Sequence, residues 1–183
     1  MKISSQILSL LLIFTLSSHL SACSTKSHFQ LEAQASKRTL NWLEKEYGLL
    51  RNPELQSYLN KILFRVASGT STASLAIKLP SNQATVLTTW RLFVLKHKEP
   101  NAFAIGGGSI VISDSLMKLC QTEAELASIV SHEMSHQMLG HIDKALELQT
   151  KQSKSSKGKP AISYSLKDEI DADALGILSL IHI

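Results

Sequence analysis

The stretch IVSHEMSHQMLGH, residues 129–141, constrains the fold more than any other. His132 and His136 stand four apart, and Glu133 follows the first directly. On a helix that spacing places both imidazoles on one face, a turn from each other. Two imidazoles so placed can reach one tetrahedral ion, and Glu133 can lean toward a water in the remaining coordination position. Leu126, Ile129, Val130 and Met134 continue an apolar stripe along the same segment, so the histidines lie on a largely buried helix. A catalytic zinc takes three protein ligands. The fold must therefore bring a third ligand to this helix from another segment.

LKDEIDADALG, Leu166 to Gly176, supplies one. It reads as a helix on which Glu169 and Asp173 lie one turn apart. Ala172 and Gly176 share that face and are small, which permits close approach to the first helix. Close approach matters because a Zn–O bond is only about 2 Å long. Glu169 is then the expected ligand, and Asp173 is placed to accept a hydrogen bond from a ligand histidine and fix its tautomer. Asp168 and Asp171 are expected on a solvated face, with Leu166, Ile170 and Ile177 packed to the core. His141, five after His136, is off the ligand face and is expected to end the helix, where the dipole favours a cation. His28, His97 and His182 have no metal spacing.

The rest of the chain reads as mixed secondary structure. Phe29 to Tyr47 has helical spacing and ends at Gly48. Asn52-Pro53 opens a second helix, with Leu55, Leu59, Ile62, Leu63 and Val66 on its apolar face and Gly69 as its stop. Ser74 to Leu79 and Arg91 to Lys96 are short β-rich runs, and His97 to Pro100 is a turn. Ala102–Ile105 and Ser109–Ile112 read as a strand pair around Gly106-Gly107-Gly108. No Lys-Ser/Thr follows those glycines, so they make a tight turn rather than a phosphate loop. Thr122 and Glu125 form a capping box that opens the histidine helix, which runs to about Gly140. The lysine-bearing stretch 151–159 lacks periodicity and reads as a loop.

At the N-terminus, Lys2 precedes an apolar run, Ile7 to Leu16, that is too short to span a bilayer comfortably. Leu20-Ser21-Ala22-Cys23 then resembles a bacterial lipobox. Residues 1–22 are thus expected to be a lipoprotein signal peptide, and Cys23 the lipidated first residue of a tether, 23–28. Several acyl chains on one residue, palmitate among them, give durable anchoring where one is marginal. Ser24, in place of Asp, points to outer-membrane sorting. Cys120 is left as the other thiol, either a small buried hydrophobe at a helix end or a disulfide partner. With 44% hydrophobic and 19% charged residues the chain can bury a core, and its net charge of +4 is not gathered into a nucleic-acid-binding stripe.

HEMSH followed by Glu-Ile-Asp-Ala-Asp resembles the HExxH and ExxAD pair of the M48 family of zinc metallopeptidases, in its soluble periplasmic branch. The run EPNAFAIGGGSIVISDSLMKLCQTEAELASIVSHEMSHQMLGH is similar to that family almost segment for segment, and the likeness covers roughly residues 40–177. It implies His132, His136 and Glu169 as ligands of one zinc ion, Glu133 as general base, and degradation of misfolded or misassembled envelope proteins at the periplasmic side of the outer membrane. An extended substrate is expected along Ser109, Ile110, Val111 and Ile112 if that strand is an edge. The rival reading is a non-catalytic zinc-binding lipoprotein acting as chaperone or scaffold for envelope proteins. A structural zinc usually closes with a fourth protein ligand, and none stands at suitable spacing.

The expected fold is α+β and gluzincin-like: mainly helical, with a small sheet beside the HExxH helix, over residues 29–177. The family usually continues past its ExxAD helix and there supplies a group that steadies the transition-state oxygen. The chain ends at Ile183, so the domain is expected to be incomplete and the polypeptide as written to fold poorly or lack activity. Its last six residues, LSLIHI (178–183), match a translation of the transposon adapter CTGTCTCTTATACACATC and are expected to be an adapter remnant.

Overall fold

The computed structural model describes residues 33–76, 90–145 and 164–181. The signal peptide, Cys23, the tether and the lysine-bearing stretch 151–159 lie outside the described residues. The architecture is α+β, with helices dominating and one three-stranded sheet. Helix α1 covers 33–46 and ends as expected at Gly48, whose φ of 81° suits a residue without a Cβ. Leu43 anchors it to Leu95 and Val111.

Helix α2, Pro53–Ala76, starts where Asn52 Oδ1 accepts a hydrogen bond from Leu55 N at 3.0 Å. Leu59, Ile62, Leu63 and Val66 are all buried, so the predicted apolar face is the real one. Gly69 does not stop the helix, and Ser74–Ala76, expected in a strand, are its last residues. A glycine inside a helix costs only about 1 kcal/mol relative to alanine. Here Gly69 and Thr70 are buried, and Thr70 Oγ1 donates back to Val66 O at 2.8 Å. Packing outweighs propensity. Residues 77–79 of the expected strand lie outside the described residues.

Strands β1 (Arg91–Leu95), β2 (Ala102–Gly106) and β3 (Ser109–Ser113) form a sheet in the order β1-β3-β2. β1 runs parallel to β3, and β2 runs antiparallel to it. Gly106 at the end of β2 and Gly107 and Gly108 after it all have positive φ, at 86°, 57° and 73°. Gly107 also disfavours a side chain, because beyond its positive φ a Cβ there would stand 3.1 Å from Ala33 Cα, a tight contact.

This topology corrects one expectation. Ser109, Ile110, Val111 and Ile112 form the central strand, paired on both sides and buried throughout. Its backbone groups are committed to β1 and β2, so it cannot add a substrate strand. The run of apolar residues reflected burial on both faces, not an open edge.

Beyond β3, Ser113 caps a short helix, α3 (Asp114–Leu119), the helix at whose end Cys120 is expected. Cys120 sits half-buried at its C-cap as a free thiol, its Sγ 3.5 Å from Leu116 O. Helix α4, Glu123–Met138, opens with the expected capping box: Thr122 Oγ1 accepts from Glu125 N, and Glu125 returns a carboxylate to Thr122 N. A short helix α5 follows at 141–145, and α6 spans Leu166–Ile181.

Helix α6 packs against both α4 and α2. Its buried residues are Asp168, Ala172, Leu175, Gly176 and Ser179. Leu166, Ile170 and Ile177 are instead exposed, at 77%, 57% and 60%. The small-residue face won the contact because it lets the two backbones meet. A Cβ built on Gly176 would lie 3.5 Å from His132 N, and Ser131 Oγ donates to Gly176 O at 2.9 Å.

Candidate metal centre

Helix α4 projects His132 and His136 from one face, with their rings edge to face and centroids 4.6 Å apart. Helix α6, seated on that face through Ala172 and Gly176, delivers Glu169. The three inward atoms form a compact triangle. His132 Nε2 and His136 Nε2 are 3.0 Å apart, and Glu169 Oε2 is 3.3 Å from the first and 3.6 Å from the second. Tetrahedral zinc with bonds of about 2.0–2.1 Å would set its donors about 3.3–3.4 Å apart. The triangle matches that size.

The donor chemistry fits as well. His132 Nδ1 lies 2.8 Å from Asp173 Oδ1, so its proton is donated to the carboxylate and Nε2 keeps a lone pair for the cluster. Asp173 thus occupies its expected place, one turn beyond Glu169. His136 is 1% exposed, and its pKa falls to about 4, first through burial and then through His132 and His141. It is held neutral, as a ligand imidazole must be. Two imidazole nitrogens and a carboxylate oxygen facing one another call for a cation between them. Among the described residues, no fourth His, Cys, Asp or Glu joins them.

Glu133 turns from the same helix toward the sheet. Its Oε2 accepts a hydrogen bond from Ala104 N at 3.0 Å. Burial pushes its pKa up to about 7, reinforced by Glu169 and opposed by His132 and the Ala104 N–H. A carboxylate poised near neutrality is suited to take up and return a proton. Beside it a groove of about 440 Å³ opens between β2, α3, α4 and α6, with Ala102, Leu116, Ile129 and Ile177 on its walls.

Four residues have roles that sequence spacing did not reveal. His141 is not an exposed cation at a helix end. It is 6% exposed, burial lowers its pKa, and its Nδ1 stands 3.0 Å from His136 Nδ1. On a straight helix it would point elsewhere. Gly140, at φ 71°, breaks α4 and swings it back. Asp168, expected in solvent, is 5% exposed, accepting from Lys144 Nζ at 2.6 Å and Ser165 Oγ at 2.6 Å. Those bonds, Lys144 first, hold its carboxyl well below the usual range. Asp171 does remain on the outer face, paired with Lys167. Tyr164 stacks on His136 at 3.9 Å, and Gln137 bridges to the glycine turn through Gly108 N and Ser109 O. The positive-φ glycine at 140 was the legible signal for His141, and no periodicity marks Tyr164.

Residues 50–159 match the model of peptidase family M48. The beta-barrel assembly-enhancing protease of Escherichia coli K12 is 32% identical over 127 residues, covering 69% of this chain and 23% of the relative. A putative beta-barrel assembly-enhancing protease of Vibrio cholerae is 25% identical over 141 residues, 77% of this chain and 26% of its own. Metalloprotease LoiP of E. coli K12 is 37% identical over 55 residues, 30% of this chain and 21% of its own. The chain spans about a quarter of the length of the first two relatives.

Proposed function

The chain belongs to peptidase family M48, and on that premise we propose that it is a zinc-dependent endopeptidase of the bacterial envelope, lipid-anchored through Cys23 on the periplasmic side of the outer membrane, that degrades misfolded or misassembled envelope proteins. One observation carries the catalytic reading. Three donor atoms within 3.6 Å of one another stand beside a buried carboxylate whose pKa is raised to about 7. The names of two relatives, beta-barrel assembly-enhancing proteases, support the envelope role.

His132, His136 and Glu169 would hold the zinc. When bound, it supplies Lewis acidity, making water nucleophilic near neutral pH and polarising a peptide carbonyl. Glu133 takes the proton of the attacking water and returns it to the leaving nitrogen. Ala104 N keeps that carboxylate aimed, and Asp173 keeps the His132 imidazole in its productive tautomer. The substrate lies along β2, which among the described residues pairs with β3 alone. Ala104 turns its N–H out of the sheet toward Glu133, and Ala102, two residues earlier, turns its backbone to the same edge. Main-chain pairing there reads little sequence, as suits a protease of unfolded chains. The apolar groove beside Glu133 receives a substrate side chain.

A non-catalytic zinc scaffold is disfavoured by the set of three ligands among the described residues, since structural sites usually close with four protein ligands. Cleavage of casein or an unfolded outer-membrane protein by full-length, zinc-loaded protein and its Glu133→Gln variant tests the reading. The variant should bind zinc as wild type does and lose about 10²–10⁴-fold in rate, the usual contribution of a general base. Equal turnover would remove Glu133 from that role.

A further inference from the structure

We infer that His141 is a positioning residue for the metal centre, the middle of a buried relay that runs from His136 through His141 to Asp168 and Lys144. The inference rests on the metal-site reading and goes beyond its ligands.

The geometry runs outward from the cluster. His136 presents Nε2 to His132 and Glu169, so its Nδ1 faces away from the metal position. That Nδ1 meets His141 Nδ1 at 3.0 Å, with room for one hydrogen between them. His136 must donate it, because its Nε2 lone pair is needed inside the cluster. His141 Nδ1 therefore accepts, and its own proton sits on Nε2, which faces Asp168 Oδ1 at 3.7 Å. Asp168 is fixed in turn by Lys144 Nζ at 2.6 Å, Ser165 N at 3.0 Å and Ser165 Oγ at 2.6 Å. His136, His141 and Asp168 are 1%, 6% and 5% exposed, so water cannot readily replace a missing member. Tyr164 stacks on the His136 ring and closes the remaining side.

The two ligand histidines are thus oriented differently. His132 hands its outer proton straight to a carboxylate, Asp173, whose side chain is 67% exposed. His136 uses a second imidazole to reach a buried one. The relay also joins α4, α5 and α6, since Lys144 belongs to α5 and Asp168 to α6. Asp168 stands next to Glu169, so the carboxylate that faces His141 Nε2 at 3.7 Å, an electrostatic contact longer than a hydrogen bond, also holds the helix turn that delivers the third ligand.

Competition between the protein and a chromogenic chelator for Zn²⁺, with Co²⁺ absorption as a second readout, tests the relay. Wild type, His141→Ala, His141→Gln and Asp168→Asn are compared, with Leu59→Ala as a core variant remote from the site. His141→Ala should weaken Zn²⁺ binding about 10–100-fold, the usual effect of removing a partner of a ligand histidine, and should alter the Co²⁺ spectrum. His141→Gln, whose amide oxygen can accept the His136 proton, should recover part of the affinity. Asp168→Asn should weaken binding less. Leu59→Ala should lower stability while its folded fraction binds Zn²⁺ as wild type does. Folded His141→Ala and His141→Gln with wild-type affinity and spectrum would overturn the relay, as would a Leu59→Ala protein that loses affinity equally. Wild type that binds no Zn²⁺ would instead refute the metal centre itself.

Discussion

The carboxylate of Glu133 is tied to the edge strand by a 3.0 Å hydrogen bond from Ala104 N. On the proposed reading, base and substrate platform would be one unit: the helix that carries His132 and His136 also touches the backbone along which a peptide would pair. Gln137, one turn on, makes the companion link by accepting from Gly108 N and donating to Ser109 O. These bonds fix how far β2 stands from the metal position.

If β2 is the platform, proline at Ala102 should block pairing without disturbing the sheet. The outward N–H of Ala102 is not spent on β3, and edge positions tolerate proline. Ala102→Pro should raise KM for an unfolded substrate while zinc content and Tm stay near wild type. Unchanged steady-state kinetics would move the substrate off this edge.

Asp173 is the outer partner of His132, at 2.8 Å. Asp173→Asn offers an amide in place of the carboxylate and should weaken zinc binding about 10–100-fold, measured by chelator competition. Affinity equal to wild type would show that His132 needs no such partner.

The α4–α6 crossing makes a two-sided prediction at Gly176. A Cβ there meets only ordinary contacts of 3.5–3.6 Å with the backbone of Ser131 and His132. Gly176→Ala should keep zinc affinity and raise or hold Tm, because alanine favours a helix by up to about 1 kcal/mol. Gly176→Leu should force the helices apart, cost about 1–3 kcal/mol, and move Glu169 off the cluster. Thermal melts with zinc titrations read both. Equal behaviour of the two variants would separate helix spacing from metal binding.

The sequence made the site more legible than its surroundings. Spacing grouped His132, Glu133 and His136 on one helix and Glu169 and Asp173 on another, because helical periodicity is a local property; the small residues Ala172 and Gly176 and the family resemblance joined the two groups. The capping box at Thr122 and the cap at Asn52 are equally local, and both stand where their residue types place them. Errors arose where tertiary contact decides. Gly69 looked like a stop, yet burial carried the helix past it. Leu166, Ile170 and Ile177 looked like core, but α6 turned its smaller residues inward to let backbones approach. Ser109–Ile112 looked like an available strand, and only the β1-β3-β2 order shows it central. His141 fell off the helical wheel because a wheel does not contain the break at Gly140.

The central claim is that two helices place three side chains on one cation. Zinc content of purified wild type and Glu169→Ala, measured by elemental analysis after dialysis against a weak chelator, tests it most directly. One zinc per wild-type chain and little in the variant is the predicted result. Wild type persistently without zinc, or a variant that retains it in full, would contradict the account.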